Sequence, residues 1–277
     1  MLIRCRTNNN ENPKDMKTII LRHALLGLLL LAAGTTVRAQ FLDSTTGLLQ
    51  MPTAVMNPEG TFMITNNYVN HHALSPVKWP DYNTFGYGFS VALWNRVEVA
   101  YVCAMMHGTN YYPDHPDVPV HWVNQDRHIA AKLLLLREGD FGKEWMPALA
   151  VGVSDPTTGK GDYLTGVNTK GNGYFNRYYL VATKHFNTEW GEVGTHLGYQ
   201  FNRRIDYPIN APCAGVDWKP TWIQTDWLSM DLIAEFDSRT FNIGFIAALW
   251  NDHLEAMFDL QALKWVSFGL RFKMHLK

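Results

Sequence analysis

The sequence lacks a surplus of either charge, has little cysteine, and contains no long apolar run after residue 34. Its 277 residues carry 24 Lys and Arg against 25 Asp and Glu, a formal net charge of −1. Without a concentrated basic face, we expect no nucleic-acid partner. The absence of a later apolar run excludes a transmembrane helix there. The three cysteines are too few for a disulfide framework, and whether Cys103 and Cys213 pair or stay buried thiols is open.

The N-terminal region carries the single long apolar run, over residues 18–34. Small residues follow it at 37–39, which is typical of a signal peptide cleaved before Gln40. We therefore expect residues 1–39 to be an N-terminal extension and a cleaved signal peptide, with Met16 as an alternative start to the first methionine. The mature chain then has 18 basic and 23 acidic residues, a formal charge of −5.

The rest of the sequence alternates apolar and polar residues with a period of two. Over residues 228–236, Leu228, Met230 and Leu232 share one face, and Asp231 and Glu235 share the other. The alternation recurs over 240–249, 253–261 and 266–276, and upstream near 61–70, 83–93, 96–106, 126–137, 146–154, 174–186 and 190–201. It predicts antiparallel strands with one face in an apolar medium. Behind a secretory signal, it is typical of a transmembrane β-barrel in contact with outer-membrane lipid.

The connections between these strands alternate in length. Short turns stand at 94–95 and 187–189, whereas 71–82, 107–125, 155–173 and 202–226 are long, the last longest of all. This asymmetry is typical of an outer-membrane barrel with short periplasmic turns and long extracellular loops.

A repeated hairpin sequence adds one strand to the eleven that the alternation predicts. Residues 89–100 resemble residues 245–256, and each copy has a strand, a Trp-Asn turn and a second strand. If the two hairpins are equivalent, both turns lie on the same side, which requires a further strand. We place it near 216–224 despite Pro220, since proline is tolerated at edges and bulges. The sequence thus predicts about twelve strands, with both termini periplasmic.

Two sequence motifs carry a family resemblance. The first runs from residue 47 to 60, the second from 235 to 244, and a Pro-x-Leu-Ala-x-Gly strand lies between them at 147–155. The motif residues are Gly47, Pro52, Thr53, Ala54, Gly60, Glu235, Asp237, Asn242 and Gly244. The chain resembles the YjbH-type (YbjH) exopolysaccharide biosynthesis family. The resemblance implies an outer-membrane β-barrel that serves the making or export of an extracellular polysaccharide, with the polysaccharide and export-machinery proteins as partners.

The domain organisation follows from these patterns. We expect the signal region at 1–39, a motif-bearing segment at 40–60 and the barrel at 61–277. Gly47 and Gly60 suit unusual backbone φ, and Pro52 stiffens the chain before the first strand. The segment is interpreted as a plug or a strand-entry turn that sets the barrel's register.

Charged residues gather on the polar faces of the predicted strands. The candidate lining of the barrel interior is Glu98, Glu192, His196, Asp231, Glu235, Glu255, Asp259, Arg271 and Lys273. Such groups can hydrate a pore or brace a closed interior with ion pairs, and both interpretations stay open. The histidine spacing matches no zinc pattern, so no metal or cofactor is expected. Loop aromatics such as Trp218 and Trp222 fit glycan contact or a membrane-interface girdle.

The function predicted from the sequence is therefore a non-enzymatic outer-membrane β-barrel in exopolysaccharide biosynthesis or export. One alternative is an outer-membrane enzyme that acts on lipid or glycan, which requires a clustered Ser/His/Asp set at a rim of the barrel. A further alternative is a soluble periplasmic β-sandwich that binds a ligand, whose core would be the apolar strand face.

Overall fold

The computed structural model describes residues 42–70, 72, 82–108, 122–156, 173–202 and 208–276. The signal peptide predicted over 1–39 lies outside these residues. The strands are β1 Thr61–Val69, β2 Tyr82–Leu93, β3 Val97–Gly108, β4 Trp122–Leu136, β5 Ala148–Ser154, β6 Arg177–Thr188, β7 Gly191–Phe201, β8 Asn210–Pro220, β9 Leu228–Phe236, β10 Phe241–Leu249, β11 Leu254–Gln261 and β12 Trp265–His275. Short 3₁₀ turns stand at Asp140–Gly142 and Gly173–Phe175.

Each strand pairs antiparallel with the next along the chain, and β1 pairs with β12. The sheet therefore closes on itself and leaves no edge strand. The predicted twelve-stranded antiparallel barrel is confirmed.

The period-two alternation sorts side chains between the outside and the inside of the barrel. On β12, Phe268 and Leu270 are 53% and 54% exposed, whereas Ser267, Arg271 and Lys273, at the alternate positions of the strand, are buried. The outside of the barrel is thus apolar, whereas the inside contains the charged and polar side chains together with an apolar cluster that includes Ile233, Ile246 and Met257. A water-soluble barrel would instead have a polar outside.

The two ends of the barrel differ in their connections. At the end we name end A, β1 starts, β12 ends, and the turns 94–96 and 189–190 are short. At the opposite end, end B, the first three connections span 70–81, 109–121 and 155–176. The predicted sorting of loop lengths therefore holds for the first half of the barrel. In the second half the end-B turns after β9 and β11 have only four and three residues, 237–240 and 262–264, in line with the short gaps predicted between the last four strands.

The inferred extra strand exists, but its position was wrong. Instead of 216–224, β8 spans Asn210–Pro220, so the expected long loop 202–226 is divided into 202–209 and 221–227. Pro212 was overlooked as a strand residue because proline lacks a backbone N–H. It is accommodated because β8 pairs with β9 only over Ala214–Trp218, which leaves Pro212 outside that ladder.

The two echoed hairpins are equivalent in the structure. Their turns both lie at end A, and the central residues adopt the same left-handed backbone conformation. Trp94 and Asn95 have φ of 55° and 51°, and Trp250 and Asn251 have φ of 55° and 52°.

Two further features bear on the sequence analysis. Cys103 and Cys213 are buried thiols and do not form the disulfide left open above. Across the described residues, no helix is long and apolar enough to cross a membrane.

Candidate functional site: the barrel interior and its inner segment

Residues 42–57, which we name the inner segment, lie inside the barrel. Apart from Val55 and Met56, which are half-buried, every residue of the segment is buried, and Leu48, Leu49 and Met51 are fully inaccessible. Eight strands enclose a space that side chains alone can fill, and twelve enclose more. The inner segment occupies that additional space. Of the two uses foreseen for residues 40–60, filling the interior is the one observed.

A carboxylate of β9 holds the turn of the inner segment. Glu235 accepts hydrogen bonds from the backbone N–H groups of Leu49, Gln50 and Met51 at 3.0, 2.7 and 3.2 Å. The amide of Asn242 donates a fourth, at 3.1 Å. The turn itself is closed by a bridge between Gly47 and Pro52. The two sequence motifs, almost 190 residues apart, therefore meet at this one carboxylate.

A second carboxylate, paired with a lysine, holds both flanks of the segment. Glu98 of β3 accepts from the backbone N–H of Thr46 at 2.8 Å and of Asn57 at 2.7 Å, and from the Thr46 hydroxyl at 2.9 Å. Lys132 of β4 lies 3.3 Å from Glu98 and donates to the carbonyls of Thr46 and Val55 at 2.8 and 2.6 Å. Apart from the half-buried Val55 these residues are buried, so their hydrogen bonds replace bonds that water would otherwise make.

The start of the inner segment is fixed at end B. Asp43 accepts from the Ser154 hydroxyl at 2.9 Å and pairs with Arg177 at 2.5 Å, at the end-B tips of β5 and β6. Arg177 also donates to the carbonyl of Gln50 at 3.0 Å. The segment therefore runs the length of the barrel, from end B to the start of β1 at end A. The predicted common side of the two termini holds for the start of β1 and the end of β12, which both lie at end A. It does not hold for Asp43, which lies at end B. The sequence pattern gave no sign that residues 42–57 pass through the interior.

Small residues let the inner segment approach the wall closely. A Cβ at Gly215 would lie 2.4 Å from Leu48 Cδ1, and one at Gly244 would lie 3.0 Å from Leu49 Cδ1. At the motif glycine Gly244 the backbone oxygen of Phe258 on β11 is nearer still, 2.0 Å from such a Cβ, so this glycine serves the approach of β11 as well as that of the segment. At Gly215, which does not belong to the motif, the nearest atom belongs to Leu48.

A hydroxyl, a histidine and a carboxylate line up beside the inner segment. The Thr183 hydroxyl lies 2.9 Å from His196 Nδ1, and His196 Nε2 lies 2.6 Å from Asp217. This order matches nucleophile, base and orienting acid. The His196 and Asp217 side chains have no exposed surface, and the Thr183 oxygen accepts the backbone N–H of Ala54 at 2.9 Å. The cluster therefore holds the inner segment and lies deep in the barrel, away from either rim.

Eight of the nine candidate lining residues lie buried inside the barrel, and the ninth does not. Glu192 is half-buried at end A, where it pairs with Lys219 at 2.8 Å. Glu98, Glu235 and Asp259 bind the inner segment, the last through the Gln50 amide at 2.8 Å. His196 is in the Thr183 cluster, and Asp231 is buried on β9.

The remaining lining charges form an ion-pair network. Glu255 accepts from Arg271 at 3.2 Å and from Lys273 at 2.5 Å, and Lys273 also reaches Asp252 at 3.0 Å. Asp252 lies in the turn after β10 at end A. Burial and the neighbouring Glu255 carboxylate raise the pKa of Asp252 to about 7, against the opposing effect of Lys273.

The other motif residues shape backbone turns around the inner segment. Asp237 accepts the N–H groups of Arg239 and Thr240, which forms the tight turn after β9. Gly60 has φ of 80° and joins the inner segment to β1. Thr53 is buried and accepts the N–H of Val55 at 3.3 Å.

Several binding residues were missed by the sequence analysis. Asp43 fixes the start of the inner segment, and Lys132, Arg177, Thr183 and Asp217 hold the segment directly or through a neighbour. A polar residue at an inward position of a period-two strand would have indicated the last four. Lys132 was hidden because the run 132–136 is apolar on both faces.

Exposed tryptophans surround end A. Each of the five end-A turns carries at least one, with exposures between 62% and 70%. They are Trp94, Trp145, Trp190, Trp222, Trp227 and Trp250. Trp218 lies on β8 and packs edge-on against Trp222 at 5.0 Å. Rings at the boundary of an apolar belt fit a membrane interface, where Trp and Tyr are enriched.

The interior therefore binds the neutral backbone groups of the inner segment through charged side chains. Its carboxylates accept N–H and O–H donors, while its lysine and arginine donate to carbonyls. Within the described ranges, no group of His, Cys, Asp and Glu is arranged to hold a metal ion.

Comparisons with known proteins place the sequence in a family and give weak likenesses in structure. The model of the YjbH family, described as exopolysaccharide biosynthesis protein YbjH, matches residues 42–211, more than half of the chain. The match begins with the inner segment and ends in β8, so the motif at 235–244 lies beyond it. No curated protein matches the sequence significantly.

Solved structures with similar folds have low identity to this chain. LpxR from Salmonella typhimurium is 8% identical with a TM-score of 0.37, over 76% of this chain and 99% of that one. The translocator domain of the autotransporter NalP from Neisseria meningitidis is 11% identical with a TM-score of 0.35, over 78% of this chain and 88% of that one. Likenesses this weak say nothing about function.

Proposed function

The chain belongs to the YjbH family of exopolysaccharide biosynthesis proteins, and from this membership we propose that it is a non-enzymatic outer-membrane β-barrel that serves the production or export of an extracellular polysaccharide. The observation that carries the proposal is the position of the region that matches the family. This region, residues 42–211, begins with the inner segment, which lies buried inside a closed barrel.

The surface of the barrel supports the membrane part of the proposal. Large apolar side chains face outward on strands around the whole barrel, among them Phe89, Ile129, Leu197, Phe241 and Phe268. Water disfavours such a surface, and lipid does not. The tryptophans at end A then lie at one interface, with end A facing the periplasm because the β1 start and the shortest turns are there.

Two single-cysteine variants test the membrane placement. In a Cys103→Ala/Cys213→Ala background, Leu263→Cys lies at end B and Glu144→Cys at end A, and both native residues are exposed. A membrane-impermeant maleimide should label position 263 on intact cells and position 144 only after outer-membrane permeabilisation. A soluble periplasmic protein, the β-sandwich alternative, would show neither label on intact cells.

Deletion of the gene tests the polysaccharide part. We expect the deletion strain to lose extracellular polysaccharide, measured as total carbohydrate in the washed medium, and to regain it when the wild-type chain is expressed. Unchanged polysaccharide in the deletion strain under conditions that induce its synthesis would exclude this role.

An outer-membrane enzyme is the second candidate, and the Thr183–His196–Asp217 cluster favours it. Burial of the cluster and the bond from Ala54 to Thr183 oppose it, since a substrate could reach the hydroxyl only after the inner segment moved. Purified protein incubated with outer-membrane lipid or with fatty-acid nitrophenyl esters should show no turnover. Hydrolysis that disappears in His196→Ala would establish the enzyme instead.

A further inference from the structure

Hydrogen bonds from the barrel wall reach the backbone of the inner segment, while Leu48, Leu49 and Met51 of the segment pack in the apolar cluster of the interior. Glu235 and Glu98 together accept five backbone N–H groups. Lys132 and Arg177 donate to three backbone carbonyls. The wall therefore presents acceptors and donors to neutral polar groups, and few of these contacts depend on which side chains the segment carries.

Sugar hydroxyls can make the same contacts. A hydroxyl donates one hydrogen bond and accepts others, so it can meet a carboxylate as the peptide N–H does and a cation as the carbonyl does. Charge-assisted hydrogen bonds of this kind are also the strong ones. A saccharide chain can thus replace the inner segment without leaving the buried charges of the wall unpaired.

The barrel ladder does not include the inner segment. β1 closes on β12 directly, and the β-bridge within residues 42–57 joins two residues of the segment itself, Gly47 and Pro52. The segment is continuous with the barrel through residues 58–60, where Gly60 supplies the left-handed bend. Movement of the segment therefore breaks side-chain contacts and leaves every strand pair intact.

We propose that the interior of the barrel is a saccharide-binding conduit, which the inner segment occupies in the closed state and leaves when a polysaccharide enters. This inference rests on the proposed function. It assigns Glu98, Lys132, Arg177, Glu235 and Asp259 as the wall residues that contact the sugar chain. The inner segment then acts as the internal competitor that keeps the barrel closed to other solutes.

A reversible covalent lock tests whether the segment moves. The Ser44 and Thr65 hydroxyl oxygens are 2.5 Å apart, one on the segment and one on β1, so Ser44→Cys/Thr65→Cys places two sulfurs within reach of a disulfide. The matched control is Thr61→Cys/His275→Cys, which links directly opposed residues of β1 and β12 and leaves the segment untethered. Both pairs go into the Cys103→Ala/Cys213→Ala background.

The readout is swelling of liposomes that contain the full-length protein, in isotonic maltose, maltotriose or maltoheptaose. Glu235→Gln removes the charge that holds the turn of the inner segment. The loss of one hydrogen bond raises the population of the open state by about tenfold, so the swelling rate should exceed that of the wild type by the same factor. Adding the oxidised Ser44–Thr65 lock to Glu235→Gln should return the rate to that of protein-free liposomes, and reduction should restore it. With the control pair in place of the lock, neither oxidation nor reduction should change the swelling rate of the Glu235→Gln protein. Heat-modifiable migration on gels confirms that each variant has folded.

The results separate this inference from the proposed function. If Glu235→Gln swells no faster than the wild type, or if the oxidised lock leaves its rate unchanged, the conduit is refuted. The same lock in cells should abolish extracellular polysaccharide and a reductant should restore it. Polysaccharide that needs the chain but ignores the lock would refute the conduit and leave the family role intact.

Discussion

The pair Glu98–Lys132 gives the sharpest test of how the interior is held together. Both groups are buried, and each also binds the backbone of the inner segment. In Glu98→Gln the Lys132 ammonium keeps its carbonyl acceptors but loses its countercharge. Breaking one side of a buried ion pair costs ~3–5 kcal/mol. Lys132→Met leaves a carboxylate that still has three donors, so we expect a smaller loss, about 2–3 kcal/mol.

The double variant Glu98→Gln/Lys132→Met contains no buried charge at this place. Its loss of stability should therefore be smaller than the sum of the two single losses, by ~1–3 kcal/mol. The measurement is urea unfolding of the four proteins in the same detergent, followed by tryptophan fluorescence and by the heat-modifiable gel shift. Two probes are needed because the free energies are meaningful only if the transitions coincide.

The rim pair Glu192–Lys219 is the matched control. Its side chains are 35% and 16% exposed at 2.8 Å separation. Exposure to water weakens the interaction, so the same cycle with Glu192→Gln and Lys219→Met should give a coupling of only ~0.2–1 kcal/mol. Equal couplings at both places, or an additive result for Glu98–Lys132, would refute the reasoning that this pair is a buried unit.

Three further predictions follow from other parts of the barrel. Because burial raises the pKa of Asp252 to about 7, the folded chain binds this proton more tightly than the unfolded chain does, and stability should fall as pH rises from about 4 to 7. The melting temperatures of wild type and Asp252→Asn should therefore be closer to each other at pH 4 than at pH 8. The same difference at both pH values would contradict the shift. Asn251 has φ of 52°, so Asn251→Val should cost ~1–2 kcal/mol and Asn251→Gly almost nothing; equal unfolding midpoints of the two variants would refute this. Gly215→Val should push Leu48 away and expose the inner segment to chymotrypsin cleavage at 48–51, detected by mass spectrometry, whereas resistance equal to the wild type would show that the segment has room to shift.

The strands were predictable because alternation is local. Burying a polar side chain against lipid, or exposing an apolar one to the interior, is costly at every second residue, so the pattern fixes which face each residue takes. For this reason Leu228–Phe236 was found with its observed bounds, and the predicted strand 240–249 differs from the observed Phe241–Leu249 by one residue. The repeated Trp-Asn hairpin also predicted the number of strands, because two equivalent turns lie on the same side of the barrel only if a twelfth strand is present. The equivalence is seen in the two left-handed residues of each turn.

The position of β8 could not be predicted by the same rule. Its sequence contains Pro212 as well as Pro220, and proline is disfavoured inside a strand except at edges and bulges. Whether proline is tolerated depends on how far the neighbouring strand extends, and β9 pairs with β8 over only five residues. That is a property of two strands together.

The sequence by itself determined a twelve-stranded barrel with an apolar outside, a polar inside and one motif at each end of the chain. Only the tertiary structure decided what the polar interior contains. Glu235 and Leu49 are far apart along the chain, and no periodicity connects them. Their hydrogen bond exists because closure of the barrel leaves more space than its own side chains fill, and residues 42–57 enter that space with backbone groups that need buried partners.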